Sequence, residues 1–155
     1  MARYTASVVW RLQEGEDFLK GRYSRGHTIA FDGGVDVPGS ASAHVVGARW
    51  AVEAAVDPEE MLVASLSACH MLTFLHKARL AGFAASAYED EAEGVMEDIG
   101  SGRLAVTRVT LRPLIRWEGP APDAEALKHL HHAAHEECYI ANSVKTEVAV
   151  EDRAG

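Results

Sequence analysis

Two cysteines, Cys69 and Cys138, are the side chains of this 155-residue chain best suited to redox chemistry. A thiolate is a strong nucleophile and a metal ligand, whereas a neutral thiol is neither. One pair of cysteines is too few for a structural disulfide framework. In a reducing compartment such a pair is expected to be catalytic, to bind a metal, or simply to lie buried. The elements that position the two sulfurs therefore decide what they can do.

Each cysteine lies on a segment that predicts a helix. Asp57 can act as an N-cap, Pro58 suits the first helical position, and Glu60 completes a capping box, so a helix starts here. It is expected to run to about Leu80 and to stop at Gly82. Because its apolar residues cover more than one stripe, this helix is predicted to be central, covered by a sheet or by a second chain. Cys138 ends a second predicted helix, over 123–137.

The remaining segments favour β structure. The sequence therefore predicts an α+β fold in a single domain covering residues 1–155, in the order three strands, helix, two strands, helix, strand. A strong turn signal follows the second strand at Asp32-Gly33-Gly34, and another lies at 98–102 between the fourth and fifth. The predicted strands cover 4–12, 22–31, 35–46 (a strand with a loop), 84–96, 103–117 and 142–150.

Charge and hydropathy limit the classes of partner. The chain carries 23 acidic and 15 basic side chains, for a net charge of −8. Nucleic acids and anionic membranes require basic patches, so neither is expected as a partner. The stretch Met61–Leu75 is too short to span a bilayer, and the first residues lack the apolar core of a signal peptide. A cytoplasmic location is therefore expected.

Four short motifs occur in a characteristic order and spacing: Asp57-Pro-Glu-Glu-Met, Ser67-Ala-Cys69, Ala134-His-x-x-Cys138 and Val144-Lys-Thr-Glu-Val. With these motifs the chain resembles the OsmC/Ohr family of organic hydroperoxide reductases, closest to an OsmC-like subgroup. The resemblance implies a curved antiparallel sheet around a long central helix. It also implies a thiol peroxidase in which Cys69 attacks the peroxide, Cys138 resolves the sulfenic acid to a disulfide, and an external dithiol, such as dihydrolipoyl groups, regenerates the enzyme. No bound cofactor is implied.

By the same resemblance, Glu59 holds an arginine beside the reactive sulfur. Ten residues separate Glu59 from Cys69, which is roughly 15 Å along one helix, so Glu59 is not expected to reach its own Cys69. A second chain could supply it, and an intertwined homodimer with interface sites is expected. Two arginines fit different branches of the family. Arg25, before Asp32-Gly33, is favoured, and Arg49, eight residues before Asp57, is the second choice.

The histidines support a rival hypothesis. His131, His135 and Cys138 fall at i, i+4 and i+7 on one helix face, so they could bind zinc in a metal-binding protein or metal-dependent hydrolase, with His70 as a candidate fourth ligand. Otherwise His70 is expected to be a buried, hydrogen-bonded residue or a dimer contact. His27 and His44 are possible pocket-rim residues. A third alternative is a small-molecule binding protein with inactive cysteines.

Overall fold

The computed structural model describes residues 1–153. The chain divides into two compact units, one from Met1 to Met61 and one from Leu62 to the end of the described chain. Within these residues, eight strands and three α-helices form runs of strands separated by helices, as expected for an α+β fold. In chain order they are β1 Ala6–Val9, β2 His27–Phe31, β3 Asp36–Gly39, α1 Ala43–Val46, α2 Pro58–Leu80, β4 Ala84–Asp90, β5 Glu93–Asp98, β6 Leu104–Leu111, β7 Pro113–Glu118, α3 Ala124–Glu137 and β8 Glu147–Val150, with a 3-10 helix at Ala141–Ser143 before β8.

The first unit contains one antiparallel sheet in the order β1-β2-β3. Strands β2 and β3 are joined by the turn predicted at Asp32–Gly34, where the N–H of Gly34 donates to the carbonyl of Phe31 at 3.0 Å. Gly34 has a φ of 79°, a conformation that favours glycine. Every residue of β1 is exposed.

The segment 35–46, predicted as a strand with a loop, is a strand only over Asp36–Gly39 and then becomes the short helix α1. The helix starts because the Ser42 hydroxyl accepts a hydrogen bond from the N–H of His44 at 3.3 Å. Serine is a favoured N-cap, and this cap competes with an extended backbone. The predicted strand is therefore present at the start of the segment, and part of the predicted loop is the short helix α1.

Helix α2 begins and ends where the capping signals predict. The Asp57 carboxylate accepts from the N–H of Glu60 at 2.7 Å, and the Glu60 carboxylate accepts from the N–H of Asp57 at 3.0 Å. This reciprocal pair is a capping box. Gly82, with a φ of 85°, ends the helix. Among the described residues, no helix combines the length and the apolar character that crossing a membrane would require.

The second unit contains two sheets, one of β4 and β7 and one in the order β5-β6-β8. The two long strands predicted over 84–96 and 103–117 form one antiparallel ribbon, and each strand of it is interrupted near its middle. In the strand predicted over 103–117, the break between β6 and β7 is at Arg112. Its N–H donates to the Asp90 carboxylate at 2.6 Å, and the next residue, Pro113, has no N–H to offer the ladder. The last strand, β8, pairs in parallel with β6.

The core of this unit has an apolar part and a polar part. Helix α2 buries every fourth residue from Leu66 to Ala78. Two of the buried groups are imidazoles: His70 is 1% exposed and His131, on α3, is 5% exposed. His70 Nε2 lies 3.0 Å from His131 Nδ1, and the two rings are within 6° of one plane. The apolar members are Leu66, Phe74, Ala78, Val109, Leu111, Leu130 and Ala134.

This buried pair should make the stability of the protein depend on pH. Burial is the main cause that lowers the pKa of His70 from 6.5 to about 4, and burial likewise lowers the pKa of His131 to about 4. The unfolded chain therefore binds protons first as the pH falls. The contribution to the free energy of unfolding is complete above pH 6.5 and is lost towards pH 4, at up to ~1.4 kcal/mol per pH unit for each group.

We expect His131→Gln to flatten this dependence between about pH 7 and about pH 4.5, when the free energy of unfolding is measured by chemical denaturation. His132→Gln, at an exposed position of the same helix, is the matched control and should keep the wild-type slope. Equal slopes for the two variants would contradict the assignment.

Candidate active site

The two cysteines lie on the two helices of the second unit that share the core. Cys69 is partly buried on α2, and Cys138, 1% exposed, follows the last residue of α3 as its C-cap. Both are free thiols, and they lie close enough for Cys69 to influence the protonation of Cys138 through a hydrogen bond and through its charge. The structure thus brings together two sulfurs that are 69 positions apart in the sequence.

The surroundings of Cys138 favour its protonated form. Burial is the largest cause that raises the pKa of this thiol, and the neighbouring Cys69 raises it further. Backbone hydrogen bonding acts in the opposite direction: the N–H of Ala141 lies 3.5 Å from the Cys138 sulfur. The side-chain amide of Asn142 donates to the Cys138 carbonyl at 3.1 Å and to the Glu136 carbonyl at 2.8 Å, which fixes the chain after α3.

Apolar side chains flank the thiol pair. Leu66, one turn before Cys69, is fully buried in an aliphatic cluster with Val109 and Leu111, and Ile140 and Ala141, which follow Cys138, pack against this cluster. The sulfurs therefore lie beside a dry, aliphatic region of the core. Such surroundings suit an apolar ligand better than a small polar one.

Arg25 belongs to the first unit and is held inside its own loop. Its guanidinium lies 3.7 Å from the centre of the Tyr23 ring. One nitrogen, Nη1, donates to the Gly21 carbonyl at 3.2 Å and also to the Tyr23 carbonyl. These contacts use one end of the guanidinium and position the other end rigidly.

The other two predicted residues of the site also belong to the first unit. Arg49 is exposed, and its guanidinium carbon lies 4.9 Å from the centre of the Trp50 ring. Glu59 is partly buried in the first turn of α2, where the helix dipole favours a carboxylate. His44 is exposed on α1. His27 lines a pocket of about 300 Å³ within this unit, together with Arg11 and Gln13.

Another polar group lies near the two buried imidazoles of the core. His131 Nδ1 faces His70, and its other nitrogen, Nε2, lies 2.8 Å from Oδ1 of Asp152, although the angle between them is poor for a hydrogen bond. Asp152 is partly exposed, and burial raises its pKa. It lines a surface pocket of about 220 Å³ with Lys128, His131, His132, His135 and Val150.

These positions do not form a metal centre. Within residues 1–153, no group of three His, Cys, Asp or Glu side chains is arranged to hold a metal ion. The trio His131, His135 and Cys138 shares a helix face, but His131 is engaged by His70 and Cys138 faces Cys69. The alternative of a metal site on these three residues is therefore contradicted by the geometry.

Sequence reasoning identified the cysteines and predicted correctly that His70 is buried and hydrogen-bonded. It missed Asp152 and also Asp90, whose carboxylate accepts from the Ser67 hydroxyl at 2.5 Å. One signal was available: His70 falls in the four-residue spacing of Leu66 and Phe74, so the buried stripe of α2 includes a polar group that needs a partner.

Comparison with known proteins was made at the level of family and of structure. Residues 51–152 match the family described as OsmC-like protein. An OsmC-like protein of unknown function from Vibrio cholerae O1 biovar eltor is 45% identical, with a TM-score of 0.94 over 99% of this chain and 100% of that one. No curated protein sequence matches the chain significantly.

More distant structures share the fold. An organic hydroperoxide resistance protein from Elizabethkingia anophelis is 17% identical, with a TM-score of 0.69 over 98% of this chain and 94% of that one. The organic hydroperoxide resistance protein OhrB of Bacillus subtilis is 22% identical, with a TM-score of 0.66 over 96% and 98%. At these identities the likeness shows the fold alone. The family match covers well over half of the chain, and the chain therefore belongs to the OsmC family.

Proposed function

We propose that this protein is a thiol-dependent peroxidase that reduces organic hydroperoxides to alcohols. The observation that carries the proposal is the pair of free thiols, Cys69 and Cys138, which face each other between α2 and α3 in a member of the OsmC family. Solved structures with the same fold include organic hydroperoxide resistance proteins, which favours peroxide chemistry here.

In the first step the Cys69 thiolate attacks the terminal oxygen of the hydroperoxide. A sulfur–oxygen bond forms, the O–O bond breaks, and its electron pair leaves on the alkoxide, which takes up a proton to give the alcohol. The sulfur is oxidised to a sulfenic acid. Cys69 suits this role because it is the more accessible of the two cysteines, whereas Cys138 is fully buried.

In the second step the Cys138 sulfur attacks the Cys69 sulfenic acid. A disulfide forms, and the departing hydroxide combines with the Cys138 proton to give water. The raised pKa of Cys138 keeps this proton in place until the sulfenic acid has formed. We further propose that a dithiol from the surroundings, with no bound cofactor, reduces the disulfide by thiol–disulfide exchange. Dihydrolipoyl groups in the cytoplasm are of this chemical class.

The aliphatic flank of the thiols supports a preference for organic substrates. The partly buried side chains of Ile140 and Ala141 offer contacts to an alkyl or fatty-acid chain and none of the hydrogen bonds that hydrogen peroxide would need. Cumene hydroperoxide should therefore react faster than hydrogen peroxide.

We propose that Arg25 activates Cys69, with Arg49 as the alternative, and that Glu59 of a second chain holds this arginine. A positioned guanidinium favours the thiolate and can donate to the peroxide oxygens. Arg25 is supported by the carbonyl and ring contacts that hold its guanidinium in place. Arg49 is supported by the exposure of its side chain.

An intertwined homodimer would supply the second chain. Helix α2 has, on the side away from its buried stripe, a row of exposed positions at Ala64, Ala68 and Leu72, and Leu72 is 64% exposed. A central apolar helix with an uncovered side is typical of a protein that pairs with a second copy.

The thiol mechanism has a direct test. One equivalent of cumene hydroperoxide should remove both free thiols of the wild-type protein. Cys69→Ser should show no peroxide consumption, because the attacking sulfur is gone. Cys138→Ser should complete one turnover and accumulate a Cys69 sulfenic acid that dimedone traps, as measured by intact-protein mass spectrometry. Unchanged turnover by Cys69→Ser would rule out the mechanism.

The two arginines can be separated by single substitutions. We expect Arg25→Ala to slow the reaction of Cys69 with peroxide by about a hundredfold or more, because the thiolate loses its counter-charge. Arg49→Ala should stay near the wild-type rate. Since Arg25 also ties its loop through carbonyl contacts, the melting temperature of each variant must be measured beside the rate in stopped flow. The reverse order of rates would assign the role to Arg49.

Complementation tests whether two chains share the site. Glu59→Ala and Cys69→Ser should each have little activity alone. Refolded together, they form mixed dimers in which one site has Cys69 from one chain and Glu59 from the other, so roughly a quarter of the wild-type activity should return. No recovery, with mixed dimers detected by native mass spectrometry, would place Glu59 in the same chain as its Cys69.

A further inference from the structure

The backbone of Cys138 is held by hydrogen bonds on both sides of the residue. Its N–H donates to the carbonyl of His135 at 3.3 Å, which closes the last turn of α3. Its carbonyl accepts from the backbone N–H of Asn142 at 3.0 Å, which closes the turn that follows the helix. Cys138 thus joins α3 to a second turn, over residues 138–142, and its sulfur lies where the two meet.

The sulfur of Cys138 is itself an acceptor for this second turn. The backbone N–H of Ala141 donates to Sγ at 3.5 Å. The backbone N–H of Ile140 acts on the sulfur in the same direction, and both favour the thiolate. A neutral thiol is a weak acceptor, whereas hydrogen bonds to a charged acceptor are strong. These two donors therefore stabilise the sulfur most when it carries a negative charge.

The side chain of Asn142 ties the second turn to the end of α3. Its amide nitrogen donates to the carbonyl of Cys138 at 3.1 Å and to the carbonyl of Glu136 at 2.8 Å. Both partners are carbonyls, which only accept, so the nitrogen and not the amide oxygen must face them. Asn142 is exposed, so its side chain does not fill the core and acts through these two bonds.

The rest of the surroundings opposes a charge on Cys138. The residue is 1% exposed, and burial is the largest cause that raises the pKa of its thiol. Cys69, on α2, is the titratable group that acts on this sulfur, and it raises the pKa further. Resolution nevertheless requires nucleophilic sulfur at this position, and the thiolate is the nucleophilic form. The N–H groups of Ile140 and Ala141 supply the stabilisation that this form needs.

We propose that Asn142 is a positioning residue for the resolving half of the catalytic cycle. Its amide fixes the turn so that the N–H groups of Ile140 and Ala141 stay directed at the Cys138 sulfur and stabilise negative charge there. This inference rests on the proposed peroxidase function. The bonds of Asn142 lie on the backbone around Cys138, so the first step, at Cys69, does not depend on them.

Negative charge develops on Cys138 twice in each cycle. In resolution this sulfur gives up its proton and attacks the Cys69 sulfenic acid. A sulfur–sulfur bond forms, the sulfur–oxygen bond breaks, and the departing hydroxide takes up the proton to give water. In regeneration one thiolate of the external dithiol attacks the Cys69 sulfur, which is the more accessible one. The disulfide breaks, its electron pair leaves on Cys138, and that sulfur takes up the proton the dithiol released. The second sulfur of the dithiol then frees Cys69.

Single-turnover kinetics separate the two steps. We expect Asn142→Ala to slow the formation of the disulfide by about tenfold, the effect of losing one hydrogen bond to a charged group, while Cys69 is oxidised by cumene hydroperoxide within about twofold of the wild-type rate. Peroxide consumption in stopped flow measures the first step. The disappearance of dimedone-trapped sulfenic acid, followed by rapid quench and intact-protein mass spectrometry, measures the second. Asn142→Leu, of similar size and without a donor, should show the same selective loss.

Ser143→Ala is the matched control. Ser143 is the next residue, is also exposed, and its hydroxyl donates to the carbonyl of Tyr139 at 2.6 Å, not to that of Cys138. Its substitution removes a side-chain bond from the same stretch of chain and should leave both rates near those of wild type. If Ser143→Ala slows resolution as much as Asn142→Ala does, general loosening of the turn explains the loss and the positioning role is overturned.

The charge on Cys138 can also be measured without any peroxide. In Cys69→Ser protein, Cys138 is the one remaining cysteine, and the ultraviolet absorbance of its thiolate follows its deprotonation. The variant with both cysteines replaced by Ser gives the baseline for tyrosine. Adding Asn142→Ala should move this transition to higher pH by about one pH unit, because the bonds that favour the thiolate are weakened. Adding Ser143→Ala should leave it in place.

The possible results distinguish this inference from the peroxidase function. A purely structural role for Asn142 would lower the melting temperature and leave the thiolate transition where it was, which overturns the positioning role. A shifted transition with slowed resolution supports it. If cumene hydroperoxide does not oxidise Cys69 in the wild-type protein, the peroxidase function is overturned and the role in resolution with it, whatever the thiolate transition shows.

Discussion

The contact between helices α2 and α3 is the constraint on which the second unit depends. Helix α2 buries one residue in each turn, and α3 packs against this stripe with Leu130, His131 and Ala134. Because Cys69 and Cys138 lie at the edge of the same contact, the packing that stabilises the unit also sets the distance between the sulfurs. A change that shifts one helix along the other would therefore alter the distance between the two sulfurs before it unfolded the protein.

The same contact explains why a core can contain two histidines. A buried imidazole loses its hydration, and this loss is recovered only if the ring nitrogens find partners. The bond between His70 and His131 provides one partner for each ring, and Asp152 stands near the next nitrogen. An aliphatic pair of the same volume would serve packing alone at least as well.

Local signals made much of the fold predictable. The capping box of α2 and the glycine after it determine the two ends of the helix without reference to the rest of the chain. The breaks in the long ribbon were not predictable in this way. The apolar pattern runs through Arg112, and the break there depends on the carboxylate of Asp90, which is distant in sequence. Strand β8 is shorter than predicted because a 3-10 helix occupies Ala141–Ser143.

The residues of the candidate site likewise differ in how far local sequence signals predict them. The cysteines are visible in the sequence because each lies in its own short motif and on its own helix. Asp152 has no such signal, since an acidic residue near the end of a chain is most often a solvated charge. It lies beside His131 of α3 only because β8 brings the end of the chain there. Groups whose function depends on contacts between distant segments are the ones that periodicity and capping signals miss.

The parallel pairing of β8 with β6 has a consequence for how the second unit is made. Arg108 and Glu147 are neighbours in this ladder although 39 positions separate them in the sequence. Pairings across such distances form slowly, since the intervening chain must close a long loop first. During synthesis, the edge of β6 stays open until the ribosome has released the residues of β8. In that interval both thiols already exist on the nascent chain, so a reducing environment is needed to keep them from pairing with other partners before the strand arrives.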